Sequence, residues 1–268
     1  MIVVKVPGIN GLNKTAGCRN AGNSILKSLN DIWTNESGKE IDISEISLEE
    51  IHVDNENLEE QEKLIYENAR DVIEMQDKVL FLGGDHSISY SIGKAFLDYC
   101  KEKDKEGCLI VFDAHADCMK PGKNPNHEEW LRGLVEEGFN PKNILLVGSR
   151  NNDVEENEFL KEKKISRVSV NDINNNIEEA ADIITEFASG KELYVSFDID
   201  VIDPVFAPAT GYKEPGGLTS RQGIYLLSRI SKMKNLKVFD LVEVNSEEDE
   251  KHGNLTTKLA AKLLAELL

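Results

Sequence analysis

Three short islands of the chain carry six side chains able to hold metal ions. They are His86 in Gly83-Gly84-Asp85-His86-Ser87; Asp113, His115 and Asp117 in Asp113-Ala114-His115-Ala116-Asp117; and Asp198 and Asp200 in Ser196-Phe197-Asp198-Ile199-Asp200. Two imidazoles and four carboxylates bring four negative charges, enough to balance two divalent cations. Oxygen donors mixed with imidazole suit Mn²⁺-like ions better than soft, thiolate-seeking ones. A pair of such ions about 3.5–4 Å apart makes a nucleophile from water and clamps the group under attack. The residue types therefore point to a two-metal hydrolytic centre.

The spacing supports that chemistry. Asp113, His115 and Asp117 alternate as an extended segment does, so they share one face if the preceding strand continues. A lone His115 would read as a hydrogen-bonded core histidine; two flanking carboxylates make it a ligand. Asp198 and Asp200 repeat the pattern, and two acids after an apolar strand repel each other unless a cation compensates. Asp203, before Pro204, reads as a turn cap or a group supporting a ligand. Gly83 and Gly84 read as a strand-to-helix turn with His86 at its tip, and Asp85 either caps the next helix or orients a ligand.

The islands need a scaffold. Apolar runs at 78–82, 108–112, 144–147, 193–197 and 236–242 read as strands buried on both faces, and Met1-Ile2-Val3-Val4-Lys5-Val6 as a first strand rather than a leader. Amphipathic stretches at 58–75, 89–103, 128–137, 176–188, 220–232 and 255–268 read as helices, the last with Leu255, Leu259, Leu263 and Leu267 in one line. This alternation predicts a three-layer α/β/α fold with a mostly parallel central sheet. Each ligand island follows the carboxyl end of a strand, where open α/β sheets bind their ligands. With no repeat or Pro/Gly-rich linker, residues 1–268 read as a single domain.

The formal net charge of −18 argues against nucleic acid and anionic membrane as partners; it favours a small cationic substrate or, equally, serves solubility alone. Charge runs at 55–62 and 155–162 read as solvated helix faces. No stretch approaches the roughly 18 apolar residues of a membrane span, and a cytoplasmic location is expected. Cys18, Cys100, Cys108 and Cys118 lack metal-site spacing and read as reduced, Cys118 as a packed thiol beside Asp117. Trp33 and Trp130 read as packing residues, and His52 and His252 as surface or structural.

In this order, Gly-Gly-Asp-His-Ser, Asp-Ala-His-x-Asp and Ser-Phe-Asp-x-Asp-x-x-Asp-Pro resemble the ureohydrolase family of arginases and agmatinases. The likeness extends through Ala207-Pro208-Ala209-Thr210-Gly211, Gly216-Gly217-Leu218-Thr219 and Glu243-Val244-Asn245, from about residue 78 to 268, and residues 17–29 are placed like the family's first helix. The resemblance implies an arginase-like fold and a binuclear manganese amidinohydrolase, with Ni²⁺ or Co²⁺ as substitutes. Hydroxide held on the metals would attack a guanidinium carbon, giving urea and an amine. By matching motifs, His86, Asp113, Asp117 and Asp198 would hold one metal, and Asp113, His115, Asp198 and Asp200 the other, with Asp113 and Asp198 bridging. Asp117 would also accept a hydrogen bond from the hydroxide. Glu243 falls on the acid that orients the substrate, a fitting partner for a planar cation with forked N–H donors. His127 falls on the proton shuttle, a task that suits imidazole near neutral pH, although Glu128 replaces the glycine usual after it. Trimers or hexamers are also implied.

The substrate is less defined. Residues 120–126 lack the Asn/Ser/Asn loop by which arginases recognise an α-amino acid; the lysines there, Lys120 and Lys123, either favour an acidic substrate group or face water. Asp153 and Glu156, however, stand where arginases place acids that contact the substrate's amino group. Tyr212 and Lys213 replace a usual Thr-Pro and change the pocket's size and polarity. Agmatine-like, arginine-like and guanidino-acid substrates all remain open. The alternatives are a formimidoylglutamase-type amidine hydrolase, a single-zinc deacetylase (disfavoured by the full set of ligands) and a catalytically silent binding protein on the same fold.

Overall fold

Eight strands form one parallel sheet in the computed structural model, which describes residues 1–12 and 14–268. They are β1 (Ile2–Val6), β2 (Ser47–Glu50), β3 (Val79–Gly83), β4 (Gly107–Phe112), β5 (Ile144–Val147), β6 (Ser166–Val168), β7 (Glu192–Asp198) and β8 (Leu236–Val242). Across the sheet the order is β2-β1-β3-β8-β7-β4-β5-β6, every pair parallel. The six apolar runs of the sequence are the six inner strands. The other two, with sequences SLEE and SRV, are the edges. An edge strand has one pairing partner and tolerates charge, so neither shows the apolar signature of a central strand.

The helices are α1 (Ala21–Leu29), α2 (Leu58–Met75), α3 (Ile88–Glu102), α4 (Trp130–Glu136), α5 (Val154–Lys163), α6 (Val170–Asn175), α7 (Ile177–Phe187), α8 (Ser220–Ile230), α9 (Ser246–Asp249) and α10 (Leu255–Ala265). Strand alternation sorts side chains into two cores. Cys108, Ile110 and Phe112 of β4 join α1, α7, α8 and α10 on one face. Leu109 and Val111 join α2, α3, α4 and α5 on the other. This is the expected three-layer α/β/α arrangement.

Several local expectations change. Trp33 is 82% exposed, just before a turn closed by a bridge between Thr34 and Glu40, so it does not pack. In the C-terminal helix Leu259, Leu263 and Leu267 are buried, but Leu255 is exposed because it opens the helix. Glu156 is buried, although it lies within a charge run expected to face water. β4 ends at Phe112, so Asp113 to Asp117 is not a continued strand; the chain turns there, with Asp117 at φ +50°. Likewise a 3-10 turn, Ile199–Val201, follows β7, and Asp198 and Asp200 converge through that turn rather than by strand alternation.

Candidate active site

The ligand islands leave from three of the four central strands, β3, β7 and β4, and Glu243 follows the fourth, β8. Because these strands are neighbours and parallel, their carboxyl ends open onto one crevice. The turn after β3 depends on glycine. A Cβ on Gly84 would lie 1.7 Å from the Gly8 carbonyl oxygen, so only glycine lets the loop after β1 pass so close. Asp85 then locks that loop: Oδ2 accepts from the Asn10 backbone N–H at 2.7 Å and the Thr15 hydroxyl at 2.8 Å, while Oδ1 accepts from Ser87.

His86 is 1% exposed, and its Nδ1 lies 3.0 Å from Asp113 Oδ2, 3.0 Å from Asp117 Oδ2 and 3.2 Å from Asp198 Oδ2. Neither Nδ1 nor Asp113 Oδ2 makes a well-aligned hydrogen bond among the described residues. A ring nitrogen nearly equidistant from three carboxylate oxygens, and aimed at none, is arranged as a ligand around a shared cation. His115 presents Nδ1 at 2.9 Å from Asp200 Oδ2 and 3.5 Å from Asp113 Oδ1. Two groups with metal-holding geometry result: His86, Asp113 and Asp198, and Asp113, His115 and Asp200. Asp113 is common to both, one oxygen toward each histidine; Asp198 falls in the first group, and Asp117 approaches it through His86.

Electrostatics point the same way. Burial, with the Asp113 charge added, pushes the Asp117 carboxyl up to about 7. Asp198 and Asp200 are raised by burial and by neighbouring carboxylates. Burial works against ionisation of Asp113 too, yet the His115 and His86 rings beside it hold it below the usual carboxylate range. Four acids driven together out of water in this way need cations. The donor set, two imidazoles with four carboxylates, fits two divalent ions of the Mn²⁺ type.

Glu243 sits at φ +64°, pinned by its N–H to the Gly84 carbonyl at 3.0 Å. Its Oε1 accepts from the His86 backbone N–H at 3.0 Å and faces His127 Nδ1 at 3.1 Å. His127 is buried, not a surface residue. Burial opposes its charge, but the Glu243 carboxylate holds its pKa at about 9. Its Nε2 has no partner among the described residues.

A cavity of about 250 Å³ opens over these groups, walled by Met119, His127, Glu128, Asp153, Glu156, Tyr212 and Glu243. Tyr212 stands 5.5 Å from the His127 ring and 6.0 Å from His115, centroid to centroid. Asp153 and Glu156 reach the wall as a capping box at the start of α5. Asp153 accepts from the Glu155 N–H at 2.9 Å, and Glu156 accepts from Asp153 and Cys118 N–H groups, each at 2.8 Å. Asp203 pins the loop carrying Gly216 and Gly217. Lys123 is 77% exposed and pairs with Glu59, away from the cavity. His52 and His252 are exposed, and all four cysteines are buried and free.

Three contributors escaped the sequence reading as site residues. The Trp130 indole N–H donates to Asp117 Oδ2 at 2.7 Å, and its ring lies 4.6 Å from that of His86. Ser196 Oγ lies 2.8 Å from His86 Nε2, and its hydroxyl donates to the enclosed carboxylate of Asp240 at 2.7 Å. The signal for Asp240 was present: it is the one acid in the run Leu236–Val242.

The chain matches the Arginase family model over residues 1–268. The arginase of Staphylococcus aureus strain MRSA252 is 30% identical over 263 residues, covering 89% of this chain and 84% of that one. Among solved structures, proclavaminate amidino hydrolase from Streptomyces clavuligerus has a TM-score of 0.86 at 24% identity, covering 99% of this chain and 89% of the other. Formimidoylglutamase from Bacillus subtilis subsp. subtilis str. 168 also has a TM-score of 0.86, at 22% identity, with 99% and 85% covered. At these identities the two structures establish the fold alone: one parallel sheet with helices on both sides, as in the ureohydrolases. The chain belongs to the arginase family, and it is a hydrolase acting on amidino C–N bonds.

Proposed function

We propose that the protein hydrolyses a small cationic guanidino compound to urea and an amine at a binuclear manganese centre, with Ni²⁺ or Co²⁺ as substitutes. The observation that carries this reading is the pair of histidines, each presenting Nδ1 to one of two carboxylate groups that share Asp113. His86, Asp113, Asp117 and Asp198 would hold one ion, and Asp113, His115, Asp198 and Asp200 the other. Two such ions, when bound, supply Lewis acidity and bring the pKa of water toward neutrality.

The side chains divide the remaining work. Asp117 accepts a hydrogen bond from the attacking water. Glu243, its Oε1 facing the His86 N–H and His127 and its Oε2 accepting from the Cys18 thiol at 3.8 Å, would offer the remaining acceptor capacity of Oε2 to an N–H of a planar amidinium. One proton of the water passes to solvent and the other to the Asp117 carboxylate as the water oxygen bonds to the amidino carbon and the C–N bond to the leaving amine breaks. His127, charged below about pH 9, donates a proton to that nitrogen from Nε2 while Nδ1–H stays on Glu243.

The cavity wall bears on the substrate's tail. Glu128, Asp153 and Glu156 line it, and no lysine or arginine does among the described residues. Glu156 is tied up by two backbone N–H groups, which leaves Glu128 and Asp153 to meet a cation. An amine-ended guanidine is therefore favoured over guanidino acids, and over formimidoylglutamate, whose carboxylates would face these acids. The whole chain would act as one domain and assemble as a trimer or hexamer.

A urea-release screen over agmatine, arginine, guanidinobutyrate, guanidinopropionate and free guanidine, with Mn²⁺ or Ni²⁺, tests the reading. Release from agmatine ahead of the acids is expected. Formamide from formimidoylglutamate with no urea from any guanidine would replace it with the amidine reading. Two bound Mn²⁺ with no turnover at all would make the protein a silent binder.

A further inference from the structure

Asp240 takes no part in the reaction above, yet it is a fully enclosed carboxylate on the central strand β8. It stands in register with Ser196 of β7. Three hydroxyls donate to it: Ser196 at 2.7 Å to Oδ1, and Ser89 of α3 at 2.7 Å together with Tyr194 to Oδ2. No lysine or arginine pairs with it among the described residues; burial pushes its carboxyl above the usual range, while the His86 ring and the three hydroxyls, all donating to it, work against that rise.

We propose that Asp240 is a positioning residue that sets the tautomer of His86 through Ser196. The available hydrogens decide the roles. A carboxylate only accepts, and a serine hydroxyl has a single hydrogen to give. That hydrogen is committed to Asp240, so the Ser196 oxygen meets His86 Nε2, 2.8 Å away, as an acceptor. Nε2 must then carry the N–H. Nδ1 keeps its lone pair, and Nδ1 is the atom facing Asp113, Asp117 and Asp198. The opposite tautomer would put an N–H where a metal ligand needs a lone pair. Outer hydrogen bonds of this kind orient ligating imidazoles generally; here the carboxylate acts from inside the sheet, one hydroxyl removed from the ring. The inference rests on the proposed metal centre.

The test is a calorimetric titration of Mn²⁺ into metal-free wild type, Asp240→Leu, Ser196→Ala and their double variant, with melting curves for each. Removing Asp240 frees the Ser196 hydrogen to turn toward Nε2. Asp240→Leu and Ser196→Ala should each weaken one of the two metal sites by about 10–100-fold. The other site should be unchanged, and the double variant no worse than the weaker single one. Tyr194→Phe removes a bond to Asp240 but leaves the relay, so it should lower the melting temperature without weakening either site. In Zn²⁺-loaded wild type, NMR should find the His86 ring proton on Nε2. Unchanged affinity in both single variants, equal loss at both sites, or a ring proton on Nδ1 would overturn the proposal. Should Asp240→Leu not fold, Asp240→Asn takes its place and the same outcomes decide. A wild type that binds no Mn²⁺ would overturn the metal centre itself, a result distinct from failure of the relay.

Discussion

The two histidines of the site sit in unlike surroundings. The His86 side chain is 1% exposed, backed by Ser196 and Asp240, flanked by Trp130 and held at its backbone by Glu243. That of His115 is 21% exposed, and among the described residues its Nε2 finds only Glu214, at 3.6 Å. The difference follows from where each residue leaves the sheet. His86 sits in the turn between β3 and α3, against Ser196 of β7 and Trp130 of α4; His115 rides the loop after β4 and lines the cavity. A rigid, enclosed ligand loses little freedom on taking up a metal, whereas an exposed one must be ordered by it. The two positions should therefore hold their ions unequally.

The sharpest test of that asymmetry removes what the halves share. Asp113→Asn should abolish binding at both positions, a greater loss than the roughly 10–100-fold typical of outer partners, and metal analysis would read it. If one full equivalent remained, Asp113 would not be the common ligand. His86→Ala and His115→Ala should each leave one equivalent, and a chelator should strip the wild type in two phases, the His115 position first. A single phase would erase the proposed inequality. Trp130→Phe keeps the ring but deletes its donor to the Asp117 carboxylate, so a loss of about 1.5–3 kcal/mol in metal binding, confined to the His86 side, is expected by calorimetry.

The smallest expected effect concerns His127. Its pKa rises from about 6.5 unfolded to about 9 in the fold, beside Glu243. A raised folded pKa means the pair stabilises the protein fully below about pH 6.5 and loses that contribution as pH climbs through 9. The melting-temperature gap between metal-free wild type and His127→Gln should shrink over that window. A gap flat from pH 6 to 10 would mean the imidazolium pair adds no stability.

How much of this was legible varies with the range of the interaction. Central strands were visible because burial on both faces leaves uninterrupted apolar runs, and helices such as Leu58–Met75 because their apolar period is local. The edge strands were invisible for the converse reason. At the site, the six ligand candidates could be named from residue type and spacing. The convergence of Asp113, His115 and Asp117 was expected from the wrong local geometry: a left-handed residue at Asp117, not strand alternation, brings the last acid around. Asp153 and Glu156 were read, by resemblance, as acids that meet a substrate's amino group, and the fold shows them also closing the first turn of α5.

By itself the sequence determined the chemistry on offer: hard ligands in matched number and, through the family resemblance, His127 as the candidate general acid and Glu243 as the candidate amidinium partner, with an acidic character that suits a cationic substrate or solubility alone. Only the tertiary structure decided which of these meet and in what state. Ser196 lies opposite Asp240 because β7 and β8 pair in that register, and Trp130 reaches Asp117 because α4 folds back over β4's loop. Such pairings depend on long-range register and packing, which no local pattern of residues encodes, and they set which face of His86 is left for a metal.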